Sequence, residues 1–434
     1  MSVWTQAKAA AERTPASRNR AADFYRATAI CLVVIGHWTV SVPYFVDGEL
    51  KFAELLVLQP WTQYATWVVQ VMPVFFFVGG FSNAASWASA RRDPAKRASW
   101  QGRRLRRLLL PTIPLILLWS VAAGVAFHAG LEAAFIRNAT RAALIPVWFL
   151  AVYVMVSVVV PLTTLAWERW GLWTVAALFT AASVVDLIGI AGGVGWLRWS
   201  NYGFIWLGVH QMGYWWFRGI EGRAFPLGLI AAGTGLLLML IGPLGYPVAM
   251  VSVADEHFSN TRPPTIAMLA IGMTQIGLII LLARRVSAWL TNIRPWAAVI
   301  LVSRRIMTVY LWHLTALLAV VGASFLVDGF GLRMVPGSTL WWWARPLWFA
   351  AMLSVLLLLI YLFGSLESGS RRAQAAPSGP LRSVVGACLA CAGLAFLALQ
   401  GTQADNPLGI NVVPVLLALS GLLVATFGFP KWSG

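Results

Sequence analysis

The chain has 434 residues, 59% of them hydrophobic and only 11% charged, with a formal net charge of +17. So little charge excludes a soluble globular protein of this length, whose surface would need far more. The basic residues cluster between apolar runs, which fits the loops of a multi-pass membrane protein and argues against a nucleic-acid partner.

Residues 1–22 are polar and basic with no apolar core, so they read as a cytoplasmic tail rather than a cleavable signal. Twelve apolar runs long enough to span a bilayer follow. They are expected near 24–45, 64–89, 108–128, 146–166, 171–192, 201–218, 225–248, 265–283, 297–325, 340–364, 382–400 and 409–428. With the N-terminus in the cytoplasm, most of the 32 Lys and Arg fall on the cytoplasmic side, including Lys8, the Arg91–Arg107 stretch, Arg284 to Arg305, Arg371, Arg372 and Lys431. This bias predicts an all-α polytopic bundle in the plasma (cytoplasmic) membrane, with both termini cytoplasmic. Residues 366–381, rich in Ser, Ala, Gly, Pro and Arg, read as a cytoplasmic linker between a ten-helix body at 23–365 and an accessory helix pair at 382–434. The three cysteines build no disulfide framework; Cys388 and Cys391 read as small packing residues.

Within the first span, Arg26 and His37 lie eleven residues apart, so helical geometry puts them on one face, about 16 Å apart along the axis. Ionisable groups at such depth are costly and mark a functional site by default. A neutral imidazole there suits a general base, with Arg26 holding an anion or developing oxyanion; a structural histidine bonded between helices is the alternative. In the second span, Met72-Pro73, Phe75 to Phe77 and Gly79-Gly80 suggest a kinked helix with close packing. Before the third, Arg103, Arg104 and Arg107 recur at three and four residues and are expected to gather on one helix face, matching either a polyphosphate or anionic lipid. Asp186 in the fifth span needs a buried partner, for which His37 and His313 are candidates. Asn201, His210 and Gln211 interrupt the sixth. In the ninth, Tyr310 and His313 share a face and form either a polar pocket wall or an interhelical hydrogen bond. The five histidines show no metal-ligand spacing.

These motifs, in this order, resemble the acyltransferase-3 family of integral membrane O-acyltransferases. The resemblance rests on Arg26 and His37, on Met72-Pro73 to Phe81, on Arg103–Arg107 followed by Pro111, on Trp148-Phe149-Leu150, and on Tyr310-Leu-x-His313. It covers roughly residues 20–365. It implies an acyl-CoA donor arriving from the cytoplasm as co-substrate, no bound cofactor, and a hydroxyl acceptor on a glycan, glycolipid or secondary metabolite. Carried onto this chain, it makes His37 catalytic, makes Arg26, Arg103, Arg104 and Arg107 donor contacts, and puts Tyr310 and His313 in the pocket; Arg26 is also expected to act with His37, and Trp148 and Asp186 to line the pocket. Gly79-Gly80 stands where Ser-Gly is common, and two extra helices stand where some relatives carry an esterase-like domain. A transporter or flippase of lipid-linked saccharides is the rival reading; it predicts symmetry between halves, and the polar features of the first three spans have no echo in the seventh to ninth.

Overall fold

The computed structural model describes residues 2–220, 222–254, 256–372 and 379–426, with the side chains of 368–372 excepted. The helix α1 (Val3–Glu12) lies on α15 (Ile293–Arg304), burying Ala7 and Ala11 against Leu290, Trp296 and Ala297. Its neighbour α2 (Arg20–Val40) starts at Asn19, whose side chain accepts from the Ala22 N–H at 2.9 Å. The chain then leaves as a hairpin, β1 (Ser41–Val46) and β2 (Glu49–Glu54), paired antiparallel from Ser41↔Glu54 to Val46↔Glu49. Asp47 and Gly48 turn it with φ of 53° and 80°, the left-handed pair that a two-residue hairpin requires. This hairpin replaces the end of the first predicted span; the Asp-Gly pair was its sequence signal.

Short helices α3 (Leu55–Leu58) and α4 (Thr62–Val69) lead into α5 (Met72–Ala90). Pro73 sits in the first turn of α5, at a break in the second span. The break leaves carbonyls without helical partners, and Gln275 donates to two of them, Trp67 O and Gln70 O, both at 2.9 Å. The helix α6 (Pro94–Leu109) is amphipathic and begins at Asp93, whose carboxyl is held below its ordinary range by the backbone and side chain of Lys96. Then come α7 (Ile113–His128), α8 (Ala133–Leu144), α9 (Pro146–Val158), α10 (Val160–Trp170) and α11 (Leu172–Asp186). A π-turn at Leu187–Ala191 precedes α12 (Asn201–Arg218), α13 (Ala224–Ile241) and α14 (Ile266–Trp289).

The predicted ninth span divides at Arg305 into α15 and α16 (Ile306–Leu326). The next helix, α17 (Thr339–Arg372), runs into the segment expected to be a linker, because Glu367 is buried and accepts from the Thr308 N–H (3.1 Å) and hydroxyl (2.9 Å). Residues 373–378 of that segment, and Lys431, lie outside the described residues. Helices α18 (Pro380–Gln400) and α19 (Val412–Thr426) pack through Gly386, Gly393 and Gly421, where a Cβ would strike the partner backbone. The pair docks on the body: the Cys391 thiol donates to Ala151 O at 3.2 Å, and Arg137 bonds Gln403 at 3.0 Å.

Among the described residues, eight helices are long and apolar enough to cross a membrane, or nine if α8 and α9, bent by 45°, count as one span. Twelve were predicted. The first carries Arg20, Asp23 and Arg26 in α2, which is packed among α5, α14, α15 and α16. The fourth breaks into shorter helices, the sixth is polar, and the last, α19, is only 15 residues. The bundle has two distinct ends. At one, Arg91 and Arg218 converge on Glu168 (2.7 and 3.3 Å), and Arg20 donates to Leu290 O. At the other, the hairpin is tied to 327–338 by Phe45 N–H donating to Leu332 O (2.8 Å), and Glu54 accepts from Ala254 N–H (2.8 Å).

The tightest interior contact joins α5 to α12. A Cβ on Gly80 would collide with the His210 carbonyl, and one on Gly213 with Phe77 O. Gly80→Val is therefore expected to cost at least about 1–3 kcal/mol, read as a lower apparent Tm of the detergent-solubilised protein; an unchanged Tm would contradict this packing.

Candidate active site

His37, on α2, and His313, on α16, meet through a 2.8 Å hydrogen bond between His37 Nδ1 and His313 Nε2. Their rings are near-parallel, 10° apart with centroids 5.1 Å from each other, so the bond joins them edge to edge. His313 Nδ1 lies 2.7 Å from the Tyr310 carbonyl, which can only accept. A neutral His313 therefore carries its proton on Nδ1 and presents a lone pair at Nε2. The His37 proton must then sit on Nδ1, donated to that lone pair. His37 Nε2 is left unprotonated, and no described residue bonds it. Trp38 braces the pair by donating from Nε1 to His313 O at 2.9 Å. His313 is fully buried and His37 half-buried.

His313 follows seven residues after the start of α16, about 10 Å along it, so the pair lies well inside the bundle. From there aromatic side chains run toward the basic end. Tyr310 donates its hydroxyl to Pro146 O (2.5 Å) and faces Phe149, ring centroids 5.6 Å apart. Phe149 stacks on Tyr153 at 5.7 Å. The Tyr153 hydroxyl accepts from Arg104 Nη2 at 3.0 Å. A Cβ on Gly79 would stand 2.8 Å from the Tyr153 hydroxyl, so this glycine makes room for the Tyr153–Arg104 contact.

The three arginines do not share one face. Arg104 turns inward to Tyr153, whereas Arg103 and Arg107 are exposed. Arg103 also bonds the Ser99 hydroxyl and Lys96 O.

The sequence profile of an acyltransferase domain matches residues 19–344, well over half of the chain. The chain belongs to the acyltransferase-3 family. No curated protein and no solved structure matches it. Membership establishes a multi-pass membrane acyltransferase, with an acyl donor and a hydroxyl acceptor as its partners in general terms.

Two expected site residues stand elsewhere. Arg26 does not reach His37: the two are about 16 Å apart on one helix, and Arg26 Nη2 pairs with Asp23 at 2.8 Å. In this arrangement its guanidinium is engaged one turn back along α2, away from that ring. Asp186 meets neither histidine. Its carboxylate accepts from Asn201 Nδ2 (2.9 Å) and from the Ile266 N–H (2.7 Å), capping α14 across a chain reversal. Trp148 lies on α9 beside Phe149 and Tyr202, at 6.2 and 6.0 Å.

Three participants were not foreseen. Trp38 adjoins His37, and Tyr153 lies one turn beyond Phe149 on the same face; that spacing was the available signal. Asn83 donates to His210 Nε2 at 2.9 Å, both fully buried, and a lone amide in an apolar helix was its signal. Among the described residues, no three His, Cys, Asp or Glu side chains are grouped to hold a metal ion.

Asp186→Asn tests the reassignment of that carboxylate. An amide offers one acceptor oxygen where two donors converge, so the variant is expected to lose about 1–3 kcal/mol of stability. Acyl transfer per folded molecule is expected to persist; loss of turnover in a protein that melts normally would return Asp186 to the site.

Proposed function

We propose that this acyltransferase moves an acyl group from cytoplasmic acyl-CoA to a hydroxyl of a sugar, glycolipid or secondary metabolite, in the plasma membrane. The observation that carries the proposal is the half-buried His37 Nε2, held unprotonated by a hydrogen-bond chain that ends on a backbone carbonyl. That arrangement supplies a general base whose tautomer and ring orientation are fixed before substrate arrives. Acyl-CoA is a co-substrate, with no resident cofactor in the scheme.

Positive-inside bias assigns the basic end of the bundle to the cytoplasm, with both termini there. The CoA phosphates then meet Arg103 and Arg107 on the exposed face of α6, and Arg26 belongs with them rather than with the oxyanion. The pantetheine follows Arg104, Tyr153, Phe149 and Tyr310, so that the thioester carbonyl reaches His37. His37 Nε2 takes the acceptor hydroxyl proton as the oxygen attacks that carbonyl. The tetrahedral intermediate expels the CoA thiolate, and the proton passes from His37 to the sulfur. His313 stabilises the imidazolium by accepting from Nδ1. In the alternative mechanism Nε2 attacks the thioester itself, giving an acyl-histidine that the acceptor then resolves. The family match lends the transporter reading no support.

Two results are expected of the full-length protein with labelled acyl-CoA. His37→Ala should lower turnover by about 10²–10⁴-fold at unchanged expression; an active, well-folded variant would refute the base. His313→Ala leaves the ring in place but frees its tautomer, so kcat should fall while the donor KM stays near its original value. Incubation without acceptor separates the mechanisms, since only the covalent one leaves label on the protein. Mass spectrometry of envelope lipids and metabolites, with and without the protein, would identify the acceptor by a difference of one acyl unit.

The Gly79 clearance generates a further expectation. Gly79→Ser forces the Tyr153 ring away and loosens its bond to Arg104, so the donor KM should rise several-fold, by roughly 1 kcal/mol of lost binding. Unchanged donor KM would detach Arg104 and Tyr153 from the donor path.

A further inference from the structure

One buried cation has no part in this chemistry. Arg345 lies in the second turn of α17, toward the end of the bundle opposite Arg103–Arg107, and is only 7% exposed. Its guanidinium carbon stands 4.0 Å from the centre of the Trp341 ring and 5.5 Å from that of Trp348. No described acidic side chain forms an ion pair with it. Its Nε is enclosed without a partner, and among the described residues no oxygen bonds either terminal nitrogen. Arg26 and Arg104, by contrast, each reach an oxygen.

A buried guanidinium without an anion is costly, and aromatic faces repay only part of the lost hydration. The two indoles instead hold the fork by its plane and leave its N–H edge free, the geometry that binds a carboxylate or phosphate in bidentate fashion. Trp341 packs with Val42 and Leu55 beneath the hairpin, so the cation is fixed by rigid elements. One turn further along α17, Phe349 lies 6.1 Å from Trp38, the residue that braces His313. Arg345 and the histidine pair are thus linked along one wall.

We propose that Arg345, between Trp341 and Trp348, receives an anionic oxygen group, carboxylate or phosphate, of the acceptor, which approaches from the end of the bundle opposite the donor. This rests on the acyltransferase reading, and it narrows the acceptor to an acidic one.

The test uses the full chain in nanodiscs of neutral phosphatidylcholine. Octyl glucuronide and octyl glucoside differ only by the carboxylate, and their binding is read by tryptophan fluorescence with no donor present. The glucuronide should bind about tenfold tighter or better. Arg345→Gln should bring the two affinities together, and Arg345→Lys should restore part of the gap. Equal affinities in the unmodified protein, or a gap that survives in folded Arg345→Gln, would overturn the assignment; the first result needs no variant to fold. Doping the discs with phosphatidylglycerol separates the sources of the anion. Loss of the glucuronide preference on doping would give the site to a lipid headgroup and overturn its acceptor role, whereas persistence supports it. With acetyl-CoA then supplied, a protein that prefers the glucuronide but transfers no acetyl group would keep the anion site and fail the acyltransferase reading.

Discussion

The proposed chemistry of this molecule hangs on the hydrogen bond between His37 and His313. A histidine buried among apolar helices needs partners for both ring nitrogens or an opening for one of them. Here the chain of partners terminates on the Tyr310 carbonyl, which lies one turn back along the same helix and cannot change its role. That fixed acceptor determines the tautomer of His313, and His313 determines that of His37. A serine-protease triad reaches the same result with a carboxylate as the final acceptor. A neutral carbonyl does so without importing a negative charge into the membrane, where such a charge carries a large desolvation cost.

The apolar periodicity of the sequence was enough to anticipate a helical membrane protein, and the depth of Arg26 and His37 was enough to single out the first helix. The bond between His37 and His313 was not legible, because the two lie 276 residues apart and nothing local states which helices touch. Asp186 misled for the same reason: its partners, Asn201 and the Ile266 N–H, stand at the starts of two other helices, 15 and 80 residues on. Of the helix breaks at Gln70, Val159 and Arg305, only the first was foreshadowed, by Met72-Pro73. Contacts from another segment complete it, as when Gln275 satisfies the carbonyls freed before Met72, and those contacts leave no trace in local propensity.

The arginines illustrate how environment sorts identical side chains. Arg103 and Arg107 face outward, Arg104 turns in to a tyrosine, and Arg26 is held by an aspartate one turn away. A spacing argument treats the first three as one surface. Their separation follows from the packing of α6, which buries Trp100 and Leu108 one turn to either side of Arg104 and so turns that side chain inward, while Arg103 and Arg107 stay exposed.

The docking of the C-terminal pair has a mechanical corollary. The helix α9 carries Phe149 and Tyr153 on one side and receives the Cys391 thiol at Ala151 on another, so it is clamped between the body and the α18–α19 hairpin. A wall held from both sides is restrained from swinging. On the proposed donor path, the two appended helices would thereby back the wall that carries Phe149 and Tyr153.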